Sequence, residues 1–282
     1  MTGIAHRPGI WLDPLTATEL SHAALVNRMA GKRAVLLGET HDRYDIHRWQ
    51  LHVAASLLAT GRPLVMGFEM FPRRVQPALD AWVAGDLDTA AFLEQSEWPA
   101  VWGFTPDLYL PLFHFCRQFR VPMKALNCRR ALVTEVGKLG WEAIAEADRD
   151  GVTPAKPATA AYRQYLFDIT GGGNPARKAA SAGSPDFDRF VRAQQTWDRA
   201  FACNIAESLA DVPDALVIGI IGRGHLEFGH GTPFQLADLS IDDVAVLLPS
   251  DEDEFDPGHG TGIADAVFRL DTRDKAPGRN AS

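Results

Sequence analysis

Two apolar runs in this chain end in the same way. Ala34-Val35-Leu36-Leu37 leads into Gly38-Glu39-Thr40-His41, and Ala215-Leu216-Val217-Ile218-Gly219-Ile220-Ile221 leads into Gly222-Arg223-Gly224-His225. A third run, Leu64-Val65-Met66-Gly67-Phe68, ends in the carboxylate of Glu69. Runs that are apolar at every position, rather than at alternate ones, belong to strands covered on both faces, as in a parallel sheet. The carboxyl edge of such a sheet is where ligands bind. Three strands would therefore deliver two imidazoles and one carboxylate to a single edge.

The segments between the runs read as helices. Ile46, Trp49, Val53 and Leu57 have helical spacing, and Gly61 and Pro63 close that helix. Phe71-Pro72 reads as the opening of a second helix, with Val75, Leu79 and Val83 on one face. Thr105-Pro106 predicts a helix start, with Leu108, Leu112, Phe115 and Phe119 following at helical spacing. Residues 121–126 read as a strand, the stretch from Ala131 to Arg149 as helical, and residues 150–158 as a connection. A helix through Tyr162, Tyr165, Leu166 and Ile169 comes next, then a glycine-rich loop around 171–185, and a long helix from Asp186 to about Leu209. Residues 244–248 and 265–270 add two strands. The fold class that follows is α/β: a mostly parallel central sheet flanked by helices, with a helical insertion or lid at about 130–210. Residues 1–30 form an N-terminal extension, 31–250 the α/β domain and 251–282 an acidic C-terminal segment. The run Asp251-Glu252-Asp253-Glu254 reads as a solvated loop, because contiguous like charges repel and stay wet. The tail from Asp271 reads as disordered.

Composition excludes several classes of function. At 282 residues and 46% hydrophobic, the chain can bury a sizeable core. Its net charge of -8 offers no footprint for nucleic acid and no charge attraction to an anionic membrane. Three cysteines without CxxC spacing argue against a disulfide framework or a structural zinc site. The first ten residues show no signal peptide, and no run is long enough to span a bilayer. A cytoplasmic location is the expectation, and a homodimer is compatible with everything above.

His41, Glu69 and His225 are the residues expected to carry chemistry. Two histidines and a carboxylate suit a divalent metal such as Mn, Co or Zn, and they equally suit acid-base work on a water. The neutral alternative for Glu69 is an ion pair with Arg73, Arg74 or Arg129. Glu39, Asn127, Arg129, Arg223 and His230 are expected to line the same site; Asn127, Arg129 and Arg130 close the strand at 121–126 and could supply hydrogen-bond donors to its edge, with Arg129 orienting an anionic group. The remaining histidines, His47 among them, read as surface or helix-face residues. Trp82, Trp98, Trp102, Phe104, Tyr109, Tyr162, Tyr165 and Trp197 offer walls for a flat cofactor, and a tyrosine or histidine could bind haem iron.

Five stretches together carry a family resemblance: Val35 to Asp42, Gly67-Phe68-Glu69-Met70-Phe71, Ala125-Leu126-Asn127, Ala193-Gln194-Gln195-Thr196-Trp197-Asp198, and Gly222-Arg223-Gly224-His225 with Gly229-His230-Gly231-Thr232-Pro233. The chain resembles the ChaN-like haem-binding uptake proteins of the Tiki, TraB and erythromycin-esterase superfamily. The resemblance implies a mixed α/β core with a helical lid, and places His41, Glu69 and His225 in the superfamily's shared site. In the ChaN-like branch it implies haem binding linked to iron uptake, usually by a lipoprotein, whose signal is not visible here. In the Tiki-like branch it implies metal-dependent peptide hydrolysis. In the esterase branch it implies metal-independent hydrolysis with histidine as base. The expectation is a haem-binding protein; the alternative is a hydrolase.

Overall fold

The structure is a computed structural model and describes residues 3–172 and 179–271. Its strands are β1 (Ile4–Ala5), β2 (Trp11–Asp13), β3 (Thr18–Leu20), β4 (Ala34–Glu39), β5 (Leu64–Pro72), β6 (Met123–Asn127), β7 (Leu216–Gly222), β8 (Val244–Ser250), β9 (Glu254–Phe255) and β10 (Ala266–Arg269). Eight of them form one sheet in the order β3-β2-β10-β8-β4-β7-β5-β6. From β10 to β6 every pairing is parallel, and β2 and β3 add an antiparallel edge. The N-terminal extension therefore contributes two strands to the main sheet. The short β1 pairs with β9 outside it.

The helices that concern the site are α1 (His22–Ala30), α2 (Tyr44–Leu58), α3 (Gln76–Ala84), α4 (Thr89–Gln95), α5 (Trp98–Val101), α6 (Leu110–Phe119), α7 (Arg130–Leu139), α8 (Ala160–Ile169), α9 (Pro185–Asp211) and α10 (Thr232–Asp238). Successive residues of β4 serve opposite faces. Val35 and Leu37 join the core beneath α2 and α6, with Trp49, Leu57 and Phe113, while Ala34 and Leu36 join the core beneath α9, with Phe201 and Ile205. Both faces are covered, which is why the strand sequences show no polar alternation. Among the described residues no helix is long and apolar enough to cross a membrane.

Two local readings need correction. Phe71-Pro72 does not open a helix: β5 runs on to Pro72 through an irregularity in its pairing with β6. The Asn127 amide donates to the Glu69 carbonyl at 2.7 Å there, so that a side chain supplies the bond the interrupted ladder lacks. The helix expected from Ala131 to Arg149 ends at Leu139, because Gly140 turns the chain at φ +84°, and two short 3₁₀ turns follow. The acidic run is exposed from Glu252 to Glu254, as a solvated loop requires, while Asp251 is bound by Arg43 at 3.0 Å and Asp253 by Arg269. The tail from Thr272 onward and residues 173–178 of the glycine-rich loop lie outside the described residues.

Candidate functional site

The strands β4, β7 and β5 are neighbours in the sheet, so their carboxyl ends meet. Glu39 is the last residue of β4 and is fully buried. Its Oε1 accepts from His41 Nδ1 at 2.7 Å and from the Tyr109 hydroxyl at 2.8 Å. Its Oε2 accepts from the Gln50 amide at 3.2 Å, and His47 Nδ1 stands 3.5 Å away. Burial alone would raise the pKa of Glu39, but the bond from His41 and the charges of His47 and His41 outweigh it and hold the carboxyl below its ordinary value. Tyr109 is pushed the other way, by burial first and then by the negative charge of Glu39, so it stays a phenol and a donor.

On β5, Glu69 is buried beside this group. Its Oε2 accepts from the Gly222 N–H at 2.8 Å, and its Oε1 lies 3.4 Å from His41 Nδ1. Among the described residues no arginine reaches it: Arg73 binds Asn204 and Glu207, and Arg74 binds Glu97. Burial dominates, and the Glu69 carboxyl is raised above its ordinary value, with Glu39 adding to the effect and the two histidines opposing it. Two buried carboxyls are thus pushed apart by their surroundings, which separates an acid role from an anchoring role.

The third strand brings His225. Its Nδ1 binds Asp198 Oδ1 at 2.7 Å. Asp198, on α9, is fully buried, and its Oδ2 accepts from the Tyr162 hydroxyl at 2.7 Å. Burial works against a charged ring in both histidines. Carboxylates overcome it: the hydrogen bond to Glu39 and the charge of Glu69 raise His41, and Asp198 and Glu69 raise His225. Each imidazole is held at Nδ1, so each neutral ring carries its lone pair on Nε2. Neither Nε2 has a hydrogen-bond partner among the described residues. Such an imidazole, oriented by a carboxylate, suits a general base or a ligand to a metal or haem iron.

The glycines of the second motif have separate reasons. At Gly222 a Cβ would lie 3.0 Å from His41 Cε1 and 3.4 Å from Glu69 Oε1, so glycine lets those side chains close over the strand end. At Gly231, φ is +58° and a Cβ would stand 2.5 Å from the His225 carbonyl oxygen. Gly222→Ala is expected to lower the unfolding free energy by about 1–3 kcal/mol, the cost of overpacking a filled space. Denaturant unfolding reads this directly, and a stability equal to that of the unmodified chain would show that the space gives way.

In front of the histidines lies a half-open cavity of about 290 Å³, with His41, Glu69 and His225 at its base and Trp102, Trp197 and Phe201 among its walls. Trp102 meets the His41 ring edge-on at 4.9 Å, and Phe104 lies 5.4 Å from it. The other aromatic candidates serve the interior: Trp82 and Trp98 pack in the core, and Tyr162 and Tyr165 donate to Asp198 and Glu227. Burial and these carboxylates keep both tyrosines protonated.

The expected ligand-binding residues are dispersed. Asn127 lines the cavity, although its amide is committed to the Glu69 carbonyl and the Cys128 N–H. Of the two arginines that close β6, Arg129 binds Asp148 and Arg130 lines the cavity. Arg223 pairs with Glu227, and His230 packs against Tyr162 and Tyr165 behind the site. Of the expected metal set, His41 and Glu69 fall together. The compact group among the described residues is Glu39, His41 and Glu69, with ligand atoms within 4.8 Å of one another, and His225 is outside it. Glu39 already accepts three hydrogen bonds, so an ion there would displace a donor.

His47, Gln50, Tyr109, Asp198 and Tyr162 carry the network; the sequence offers Tyr109 and Tyr162 only as walls for a flat cofactor and Asp198 only within a stretch that carries the resemblance. His47 and Gln50 sit on the apolar face of α2 among Ile46, Trp49 and Val53, buried rather than exposed. Two polar residues inside an apolar stripe are the signal that could have found them, since a buried polar group needs a partner.

A family model described as haem-binding uptake, Tiki superfamily, ChaN matches residues 25–236. Among solved structures, the chain is similar to ChaN of Campylobacter jejuni, a structure of cofacial haem binding. Identity is 20%, over 92% of this chain and 95% of that one, with a TM-score of 0.69. It also matches RRSP, a MARTX toxin effector domain of Vibrio vulnificus, at 15% identity over 93% of this chain and 42% of that one, with a TM-score of 0.46. An erythromycin esterase matches at 13% identity over 88% and 77%, with a TM-score of 0.43. No curated protein matches significantly. With three quarters of its length covered by one family model and the same α/β fold as a solved member, this chain belongs to the ChaN haem-binding uptake family of the Tiki superfamily.

Proposed function

We propose that this protein binds haem in the cavity at the ends of β4, β5 and β7. The observation that carries the reading is the cavity itself, an imidazole base flanked by flat apolar walls. His41 presents an unengaged Nε2 there, beside Trp102, Trp197 and Phe201. The residues fit the group. A histidine held by a carboxylate at Nδ1 is a strong iron ligand, and aromatic side chains suit the porphyrin faces. The volume of about 290 Å³ lies just below the usual range for ligand pockets, so a flat ligand of haem's size would enter edge-on and extend through the open side. Bound haem would supply a transferable or redox-active iron. The protein's part is to hold it through His41 and to keep that ring in one tautomer through Glu39. Titration of the purified chain with hemin should give a saturable Soret shift, and His41→Ala should weaken binding by about tenfold or more. A non-saturable shift, or a variant that binds like the unmodified chain, would refute the reading.

A second reading is favoured by one observation, the separation of the Glu39 and Glu69 pKa values beside two carboxylate-held imidazoles. A hydrolase would use His41 as base toward water and Glu69, protonated, as acid toward the leaving group. Ester and peptide turnover, with and without a chelator, tests this and the divalent-metal version of it. Loss of turnover in His41→Ala by about 10²–10⁴-fold is the expected result.

A further inference from the structure

The cavity in front of His41 does not end at Trp197. A second cavity of about 330 Å³ lies between α7 and α9, lined by Val133, Phe190, Ala193 and Arg189 among others, and Arg130 and Trp197 line both. A ligand seated against His41 therefore has a continuation along the α7–α9 groove, and Arg130 stands where the two spaces adjoin.

The charges along this path are unequal. At the inner end are the carboxylates of Glu39, Glu69 and Asp198, with His41 and His225 between them. Two arginines line the cavity. Arg74 is held by Glu97 through two bonds, at 3.2 and 2.5 Å. Arg130 is exposed and has no acidic partner among the described residues. Beyond the junction the groove carries one acid and one base, Asp186 and Arg189, so the excess positive charge on the path lies at Arg130: an anionic group on a ligand is repelled at the Glu69 end and attracted at the Arg130 end, and the fork of a guanidinium matches a carboxylate.

We propose that Arg130 anchors a carboxylate of the ligand held in this cavity, so that the site selects flat apolar ligands that carry a free carboxylate away from the His41 end. The proposal rests on the haem reading and adds an orientation to it: the propionate edge faces the α7–α9 groove. It assigns to Arg130 the anion-orienting role that the sequence suggests for Arg129, whose guanidinium is engaged by Asp148 at 3.2 Å.

The test compares hemin with hemin dimethyl ester, whose carboxylates are blocked, on the full chain and on Arg130→Gln. Gln removes a positive charge from a helix N-terminus, where that charge is unfavourable, so the variant is expected to fold. The unmodified chain should bind hemin about tenfold more tightly than the ester, and Arg130→Gln should bind the two within about twofold of each other. Arg130→Lys should recover part of the preference. A variant that keeps the full preference overturns the proposal while leaving haem binding intact, and so does an unmodified chain that does not distinguish acid from ester. If the unmodified chain binds neither porphyrin, the haem reading and the proposal fall together.

Discussion

Glu39→Ala is expected to cost about 3–5 kcal/mol of unfolding free energy, the range for removing one partner from a buried charged network. The carboxylate is fully buried and accepts from His41, Gln50 and Tyr109. Alanine would leave those donors without an acceptor, two of them, Gln50 and Tyr109, fully buried, and each unsatisfied buried group costs about 1–3 kcal/mol. The pH dependence has a definite sign. The folded-state pKa of Glu39 is lowered, so its contribution is present above the ordinary carboxyl pKa and is lost as pH falls through the folded value. Glu69 behaves oppositely. Its folded pKa is raised, so folding binds the proton more tightly, and stability declines as pH rises from the ordinary value through the raised one. Denaturant titrations of the unmodified chain, Glu39→Ala and Glu69→Gln, from well below the ordinary carboxyl pKa up to neutral pH, would separate the two carboxyls. A Glu39→Ala protein within about 1 kcal/mol of the unmodified chain would show that the network is not closed in solution.

How much of this was legible beforehand depends on which interactions are local. Strands β4, β5 and β7 were readable because burial on both faces demands continuous apolar runs; His41 and His225 lie just past the ends of two of them, whereas Glu69 lies within β5, which continues to Pro72. Their anchors were less readable. Asp198 reaches His225 from α9, 27 residues earlier in the chain, and Tyr109 reaches Glu39 from the start of α6. No periodicity in the sequence registers such contacts. Arg129 and Arg130 show the limit most plainly. Both follow β6, and which of them faces the cavity depends on where α7 begins. The helix starts at Arg130, and Asp148 and Asp150 of the following turns hold Arg129. The overlong β5 escaped for a similar reason, since the Asn127 amide that supports it comes from another strand.

The binding of iron, or of a proton in hydrolysis, requires the neutral form of His41, and this gives the second large expected effect. The Nε2 lone pair exists only when the ring is uncharged. The His41 pKa is raised above 6.5: burial opposes the charge, but the Glu39 hydrogen bond and the charge of Glu69 prevail. Hemin affinity and any hydrolytic rate should therefore fall with decreasing pH through a midpoint above 6.5, by about tenfold per pH unit below it. Glu69 stands 3.4 Å from His41 Nδ1, and Glu69→Gln removes one of the charges that holds the ring protonated. The midpoint should move to lower pH in that variant, so that Glu69→Gln binds hemin more tightly than the unmodified chain over the range where Glu69 is ionised and His41 titrates, and equally well at alkaline pH. The same variant should lose hydrolytic turnover at every pH if Glu69 is the proton donor, because the amide cannot deliver a proton. Binding and turnover thus respond in opposite directions to one substitution at low pH, and the pair of profiles distinguishes a haem-holding site from an acid-base one. A midpoint at or below 6.5 in the unmodified chain, or one unmoved by Glu69→Gln, would remove His41 from both roles.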